Sequence, residues 1–137
     1  MDTAKDISIL YRKMHVAGNV MMAPEGLTSA KAMFLFCIAD HGKMTQVEIC
    51  NCLDMDKSTV AKMLVRLETD GLITKAVHPE DIRALQVSLT EKATALIPRA
   101  RQIQDAWLDQ VTAQLTDLEK RNFFELLEKV AAAANQK

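Results

Sequence analysis

The chain lacks any long apolar run. Hydrophobic residues fill 49% of its 137 positions, yet charged side chains interrupt them throughout. No stretch approaches the roughly 20 residues of a membrane-spanning helix. The first residues also lack the basic-then-apolar order of a secretion signal. The expectation is a cytoplasmic chain with no membrane partner. Positive charge is not in excess either, since the formal net charge is −1. A strongly basic coat for nucleic acid is thereby excluded, and any positive field must come from segregation onto one face. There is no Gly-rich phosphate loop, no G-x-S-x-G elbow and no H-E-x-x-H pair, so the chain is not expected to be an enzyme or to need a cofactor.

Cysteine is scarce. Cys37, Cys50 and Cys52 are the whole supply, too few for a disulfide framework in a cytosolic chain. Cys50 and Cys52 are too close for ordinary zinc ligation, and no second Cys/His pair completes a site. Within a helix, residues two apart point to different faces, which disfavours a local bond. Their expected role is that of small buried hydrophobes, with a thiol-based redox sensor as the alternative. His15, His41 and His78 are far apart, and no metal site is expected.

What is present is concentrated between Met44 and Thr90. Thr45 and Glu48 have the spacing of a capping box, followed by Val47, Ile49, Cys50 and Leu53 on an apolar side. Asp56 suits the N-cap of a second helix. Val60, Met63, Leu64 and Leu67 then recur at helical spacing, with Ser58, Thr59, Lys62 and Arg66 on the other face. Gly71 is placed to stop that helix. Two extended runs follow, joined by His78, Pro79, Glu80 and Asp81. This order is that of a helix-turn-helix with a β-wing, which sets a helix into a DNA major groove. From Asp54 to Arg83 there are five basic residues (Lys57, Lys62, Arg66, Lys75, Arg83) against six acids (Asp54, Asp56, Glu68, Asp70, Glu80, Asp81). Asp56 can serve as a cap, and Asp81 is expected to orient Arg83 through a charge-assisted hydrogen bond.

The flanks suggest helix pairing. Residues 3–22 carry Ile7, Leu10, Tyr11, Met14 and Ala17 along one side, and a second helix is expected over 29–40. Leu89, Ala93, Leu96, Ala100, Ile103 and Trp107 alternate spacings of four and three, the seam of a long helix. Pro98 lies within it, where a kink is expected. Leu108, Val111 and Leu115 form a second stripe. Thr116 and Glu119 form another capping box, before Phe123, Phe124, Leu126, Leu127 and Val130. Two stripes exceed what one small wing domain can cover, which points to a homodimer. The candidate dimerisation residues are Ile7, Leu10, Leu96, Ile103, Trp107, Val111, Phe123 and Leu127.

Leu67-Glu68 with Gly71-Leu72-Ile73, then Pro79, Asp81, Arg83-Ala84, then Leu89-Thr90-Glu91-Lys92 together resemble the MarR family of bacterial transcription regulators. The resemblance covers nearly the whole chain. It departs where the family usually has an aromatic and a Gln in its second helix (here Ala32 and Lys31), a basic residue before Arg83 (here Ile82), an Arg at Lys75 and a Gly at Ala93. It implies a mainly α fold with a small β-wing: one domain over 1–137, a winged helix-turn-helix over 27–90, and dimerisation helices from 1–26 and 91–137. It also implies a ligand-responsive regulator, expected to be a repressor acting on a pseudo-palindromic operator. The alternative is a protein-binding winged-helix module. The candidate contacts to double-stranded DNA are Thr45, Gln46, Lys57, Ser58, Thr59, Lys62, Arg66, Lys75, His78, Asp81 and Arg83. A small aromatic effector is implied between the dimerisation helices and the wing domain, with Met14, Met21, Met33 and Phe34 as candidate lining.

Overall fold

The computed structural model describes residues 1–136, the side chain of Ile82 excepted. Helix α1 spans Thr3–Met22, and a short 3-10 turn at Ala23–Glu25 leads to α2, Ser29–His41. Gly26 follows that turn at φ +74, a conformation that favours glycine. Then come β1 (Met44–Thr45), α3 (Gln46–Leu53), α4 (Lys57–Thr69), β2 (Ile73–His78), β3 (Asp81–Leu89), α5 (Glu91–Val111) and α6 (Asp117–Ala134).

α2 is the axis of the fold. Ala32, Phe34, Leu35, Cys37 and Ile38 are buried on several sides of it, as expected of a helix surrounded by others. Gly18 of α1 packs against it closely: a Cβ there would stand 2.9 Å from that of Ser29. At the same crossing, Asn19 Oδ1 accepts the Ser29 N–H at 2.8 Å. Ile49 of α3, Val60, Leu64 and Leu67 of α4, and Leu72, Ile73 and Val87 at the base of the wing complete one contiguous core.

The three strands are antiparallel in the order β1-β3-β2. Met44 pairs with Val87 and Ile73 with Leu89, and the β2–β3 register breaks between Val77 and His78. β1 has only two residues, too short to leave a period-two pattern.

The seam on α5 needs correction. Ala93, Ala100 and Ile103 are buried within the single chain, where α5 packs on α1, α2 and β3. Ile103 is therefore core and not an interface residue, and Leu96 is packed against the same cluster. Trp107 lines the space between α1, α2 and α5. The second stripe is the more open one: Leu108 is half-buried, Val111 and Leu115 are exposed, and α6 buries none of its residues.

Candidate nucleic-acid interface

The turn between α3 and α4 is set by short polar side chains. Thr45 opens α3: the Glu48 N–H donates to its Oγ1 at 3.2 Å, and its own N–H donates to Glu48 Oε1 at 3.1 Å. Asp54 ends α3 in the left-handed region at φ +51, which aspartate tolerates better than most residues. Asp56 caps α4, accepting the Thr59 N–H at 2.7 Å and its hydroxyl at 3.0 Å. Both carboxyl groups are held below their ordinary range by these N–H bonds, Glu48 through Thr45 and Asp56 through Thr59. Gln46 Nε2 donates to the Lys57 carbonyl at 3.2 Å, joining the two helix starts.

α4 ends as sharply as it begins. The Gly71 N–H donates to Glu68 O at 3.0 Å and the Leu72 N–H to Leu67 O at 2.9 Å. Gly71 sits at φ +74. This is a Schellman closure, with Leu67 and Leu72 buried as its apolar pair. Lys31 reaches from α2 to Asp70 at 2.7 Å, so the residue that departs from the family's usual Gln ties two helices together. Thr90 Oγ1 donates to Gly71 O at 2.7 Å, and Lys92 Nζ to Asp70 O at 2.8 Å. The start of α5 is thus fixed to the end of α4.

The resulting surface is selective in charge. Of the six acids between Asp54 and Arg83, Asp56 is used as a cap, and Glu68, Asp70 and Asp81 face Lys75, Lys31 and Arg83. Lys57, Ser58, Lys62 and Arg66 are exposed along α4. Among the described residues, Lys57, Lys62 and Arg66 have no carboxylate within 4.0 Å of their charged groups. The excess of acids in sequence therefore does not become a negative face.

The candidate DNA contacts fall into three groups. Thr45, Gln46 and Lys57 line one open groove together with Lys75 and Arg83 of the wing. Ser58, Thr59, Lys62 and Arg66 stand on the outer face of α4, although the Thr59 hydroxyl is occupied by Asp56. His78 and Asp81 hold the wing tip: His78 Nδ1 accepts the Glu80 N–H at 3.0 Å, and Asp81 Oδ1 accepts the Arg83 N–H at 3.0 Å. The expected orienting bond from Asp81 to the Arg83 guanidinium is not made. Nε stands 3.6 Å from Oδ1 with the arginine side chain 91% exposed, which is an ion pair in solvent and not a hydrogen bond. Val65 is a residue that pattern reading missed. It is exposed between Lys62 and Arg66, where a branched apolar group can meet a thymine methyl. The signal was in the spacing: Val65 follows Lys62 by three residues and Ser58 by seven, which puts it on the polar face and off the buried stripe.

The candidate effector residues separate. Met14, Met21 and Met33 line one cavity with Phe36, Ile103 and Trp107. Phe34 does not line it and lies in the core. Two helical steps turn a side chain by about 200°, so Phe36 takes the position expected of Phe34. The enclosed space is only about 40 Å³.

The MarR family's sequence model matches residues 25–84. The chain is 28% identical over 120 residues to the HTH-type transcriptional repressor NicR of Pseudomonas putida, covering 82% of this chain and 76% of the relative. It is 30% identical over 115 residues to an HTH-type transcriptional regulator of Bacillus cereus, covering 81% and 74%. Among solved structures, it superposes on a single-site cysteine-to-serine mutant of MarR from E. coli, in complex with operator DNA, with a TM-score of 0.83, at 28% identity, covering 93% and 91%.

Proposed function

The chain belongs to the MarR family of transcription regulators, and from that premise we propose that it is a ligand-responsive repressor acting as a homodimer on a pseudo-palindromic operator. The carrying observation is the outer face of α4, where Lys62 and Arg66 are exposed and unpaired among the described residues. In this reading Ser58 and Lys62 meet base edges or phosphates, and Arg66, a turn further along, clamps a phosphate. Arg83 borders the minor groove from the wing. Residues 27–90 act as the reading part, and the helices of 1–26 and 91–137 pair the two copies. The repressor role follows NicR, which is named as a repressor, and the DNA role follows the E. coli protein's operator complex.

Dimerisation is supported by α6, an 18-residue helix with no buried residue. Such a helix gains its stability from packing, and one chain leaves much of its apolar face uncovered. The effector site is the cavity beside Met14, Met21 and Met33. A drug-sized ligand needs roughly 300 Å³ or more, against about 40 Å³ enclosed here. An aromatic ligand must therefore displace flexible methionine side chains, pushing α1 and α5 apart. Because Thr90 and Lys92 fix α5 to the end of α4, that motion reaches the reading helix. Selection of bound DNA from a random pool tests the reading. The expected product is a two-fold symmetric site with half-sites about one helical turn apart. Failure to enrich any sequence refutes it.

A further inference from the structure

We propose that Cys37, His41 and Cys52 form a binding site for one thiophilic d10 metal ion, Zn(II) or Cu(I), where α2 meets α3. The ligand atoms of the three residues lie within 4.8 Å of one another. Cys37 and His41 are four apart on α2, so they share a face, and Cys52 comes from the last turn of α3. Local spacing does not announce this site, because Cys52 meets a residue fifteen positions away.

The surroundings match a metal site in several ways. His41 Nδ1 stands 2.8 Å from the Cys37 carbonyl. A carbonyl can only accept, so Nδ1 carries a proton, and in the neutral ring the lone pair is then on Nε2. A ligating histidine is typically held in this way, its other ring nitrogen donating to a carbonyl or carboxylate. Cys37 Sγ is 3.0 Å from Cys52 Sγ, well beyond a disulfide bond. Two thiolates at about 2.3 Å from one tetrahedral ion stand roughly 3.8 Å apart, so a small outward shift of Cys52 suffices. Cys52 and His41 are exposed and give the ion a way in, whereas Cys37 is buried. The Met44 thioether lies 3.6 Å from Cys37 Sγ, adding a further soft donor that favours Cu(I).

The alternative use of the two sulfurs, a redox disulfide, leaves His41 without a part. A bound ion replaces both thiol protons and releases them to solvent, with no change in oxidation state. The ion would clasp α2 to the first helix of the helix-turn-helix.

The test uses the full chain under a non-thiol reductant, with Zn(II) and Cu(I) each titrated against a colorimetric chelator. One ion per chain is expected for the wild type, and the arm with the tighter binding names the ion. Cys52→Ser and His41→Ala should each lose roughly tenfold or more in affinity. Circular dichroism confirms that both variants, changed at exposed positions, remain folded. The melting temperature of the wild type should rise with the bound ion, and that of His41→Ala should not. Chelator competition that strips both ions from the wild type overturns the proposal, as does equal affinity in wild type and His41→Ala.

Discussion

Replacing Leu126 and Val130 by aspartate should break the proposed dimer without unfolding the chain. Phe123, Leu126, Leu127 and Val130 recur at three- and four-residue spacing on one face of α6. Their exposures are 37%, 58%, 51% and 64%, together about two whole apolar side chains left in water. Full burial of one such side chain contributes about 1.5–3 kcal/mol. Covering this stripe on both subunits therefore yields roughly 6–12 kcal/mol. Association itself costs about 4–15 kcal/mol. α6 alone is thus marginal, and Ile7, Leu10 and Tyr11 of α1 with Val111 and Leu115 at and beyond the end of α5, all exposed, must take part. Leu126 and Val130 hold somewhat more than half of the stripe's exposure. Losing them from both subunits removes about 5 kcal/mol, or between three and four orders of magnitude in the dimer constant. Sedimentation velocity over a concentration series reads this directly. Ile103→Ala is the contrast: buried in its own chain, it should cost about 2–5 kcal/mol of stability and leave association unchanged once folded. A monomeric wild type at micromolar concentration refutes the reasoning, as does a double aspartate variant that dimerises normally.

Asp81→Ala removes the acceptor that holds the Arg83 N–H, so the wing tip loosens. Operator affinity should fall towards that of Arg83→Ala, and tighter binding than wild type would show Asp81 to be a tolerated surface charge. Acid should unfold the protein partly through its caps. Glu48 and Asp56 are held below their ordinary range in the folded chain, so their contribution is present above the unfolded values near pH 4 and is lost as pH falls through the lower, folded ones. Asp56→Asn keeps an acceptor but removes the titration, so urea denaturation should show a shallower acid limb than wild type; an identical limb contradicts the assignment.

What the sequence revealed was mainly local. The caps at Thr45, Asp56 and Thr116 are legible because a side-chain oxygen meets an N–H three residues on, and α1 begins and ends where its pattern does. Gly71 is legible because a helix end that turns left-handed, here at φ +74, favours glycine. Questions of partner choice were not legible. The spacing of Ala93, Ala100 and Ile103 announces a buried stripe, but periodicity cannot say whether the cover is another chain or the same one. Phe34 and Phe36 are both aromatic neighbours on α2, and only the packing decides which lines the cavity. The charge balance between Asp54 and Arg83 looked unfavourable because Lys31, which faces Asp70, lies far outside that segment. Cys37 and Cys52 meet only through the crossing of α2 and α3.

The most direct measurement is operator binding by wild type, Lys62→Ala and Arg66→Ala across a salt series, on the site obtained by selection. Each contact to phosphate contributes about 0.9 to the slope of log affinity against log salt. A symmetric dimer loses two contacts per substitution, so the slope should fall by about 1.8 wherever the side chain meets phosphate. Both side chains are exposed and unpaired among the described residues, so folding stability should move by no more than about 0.5 kcal/mol. Weaker binding with a shallower slope and unchanged stability is the predicted result. Unchanged affinity and slope in both variants would contradict recognition of DNA by α4.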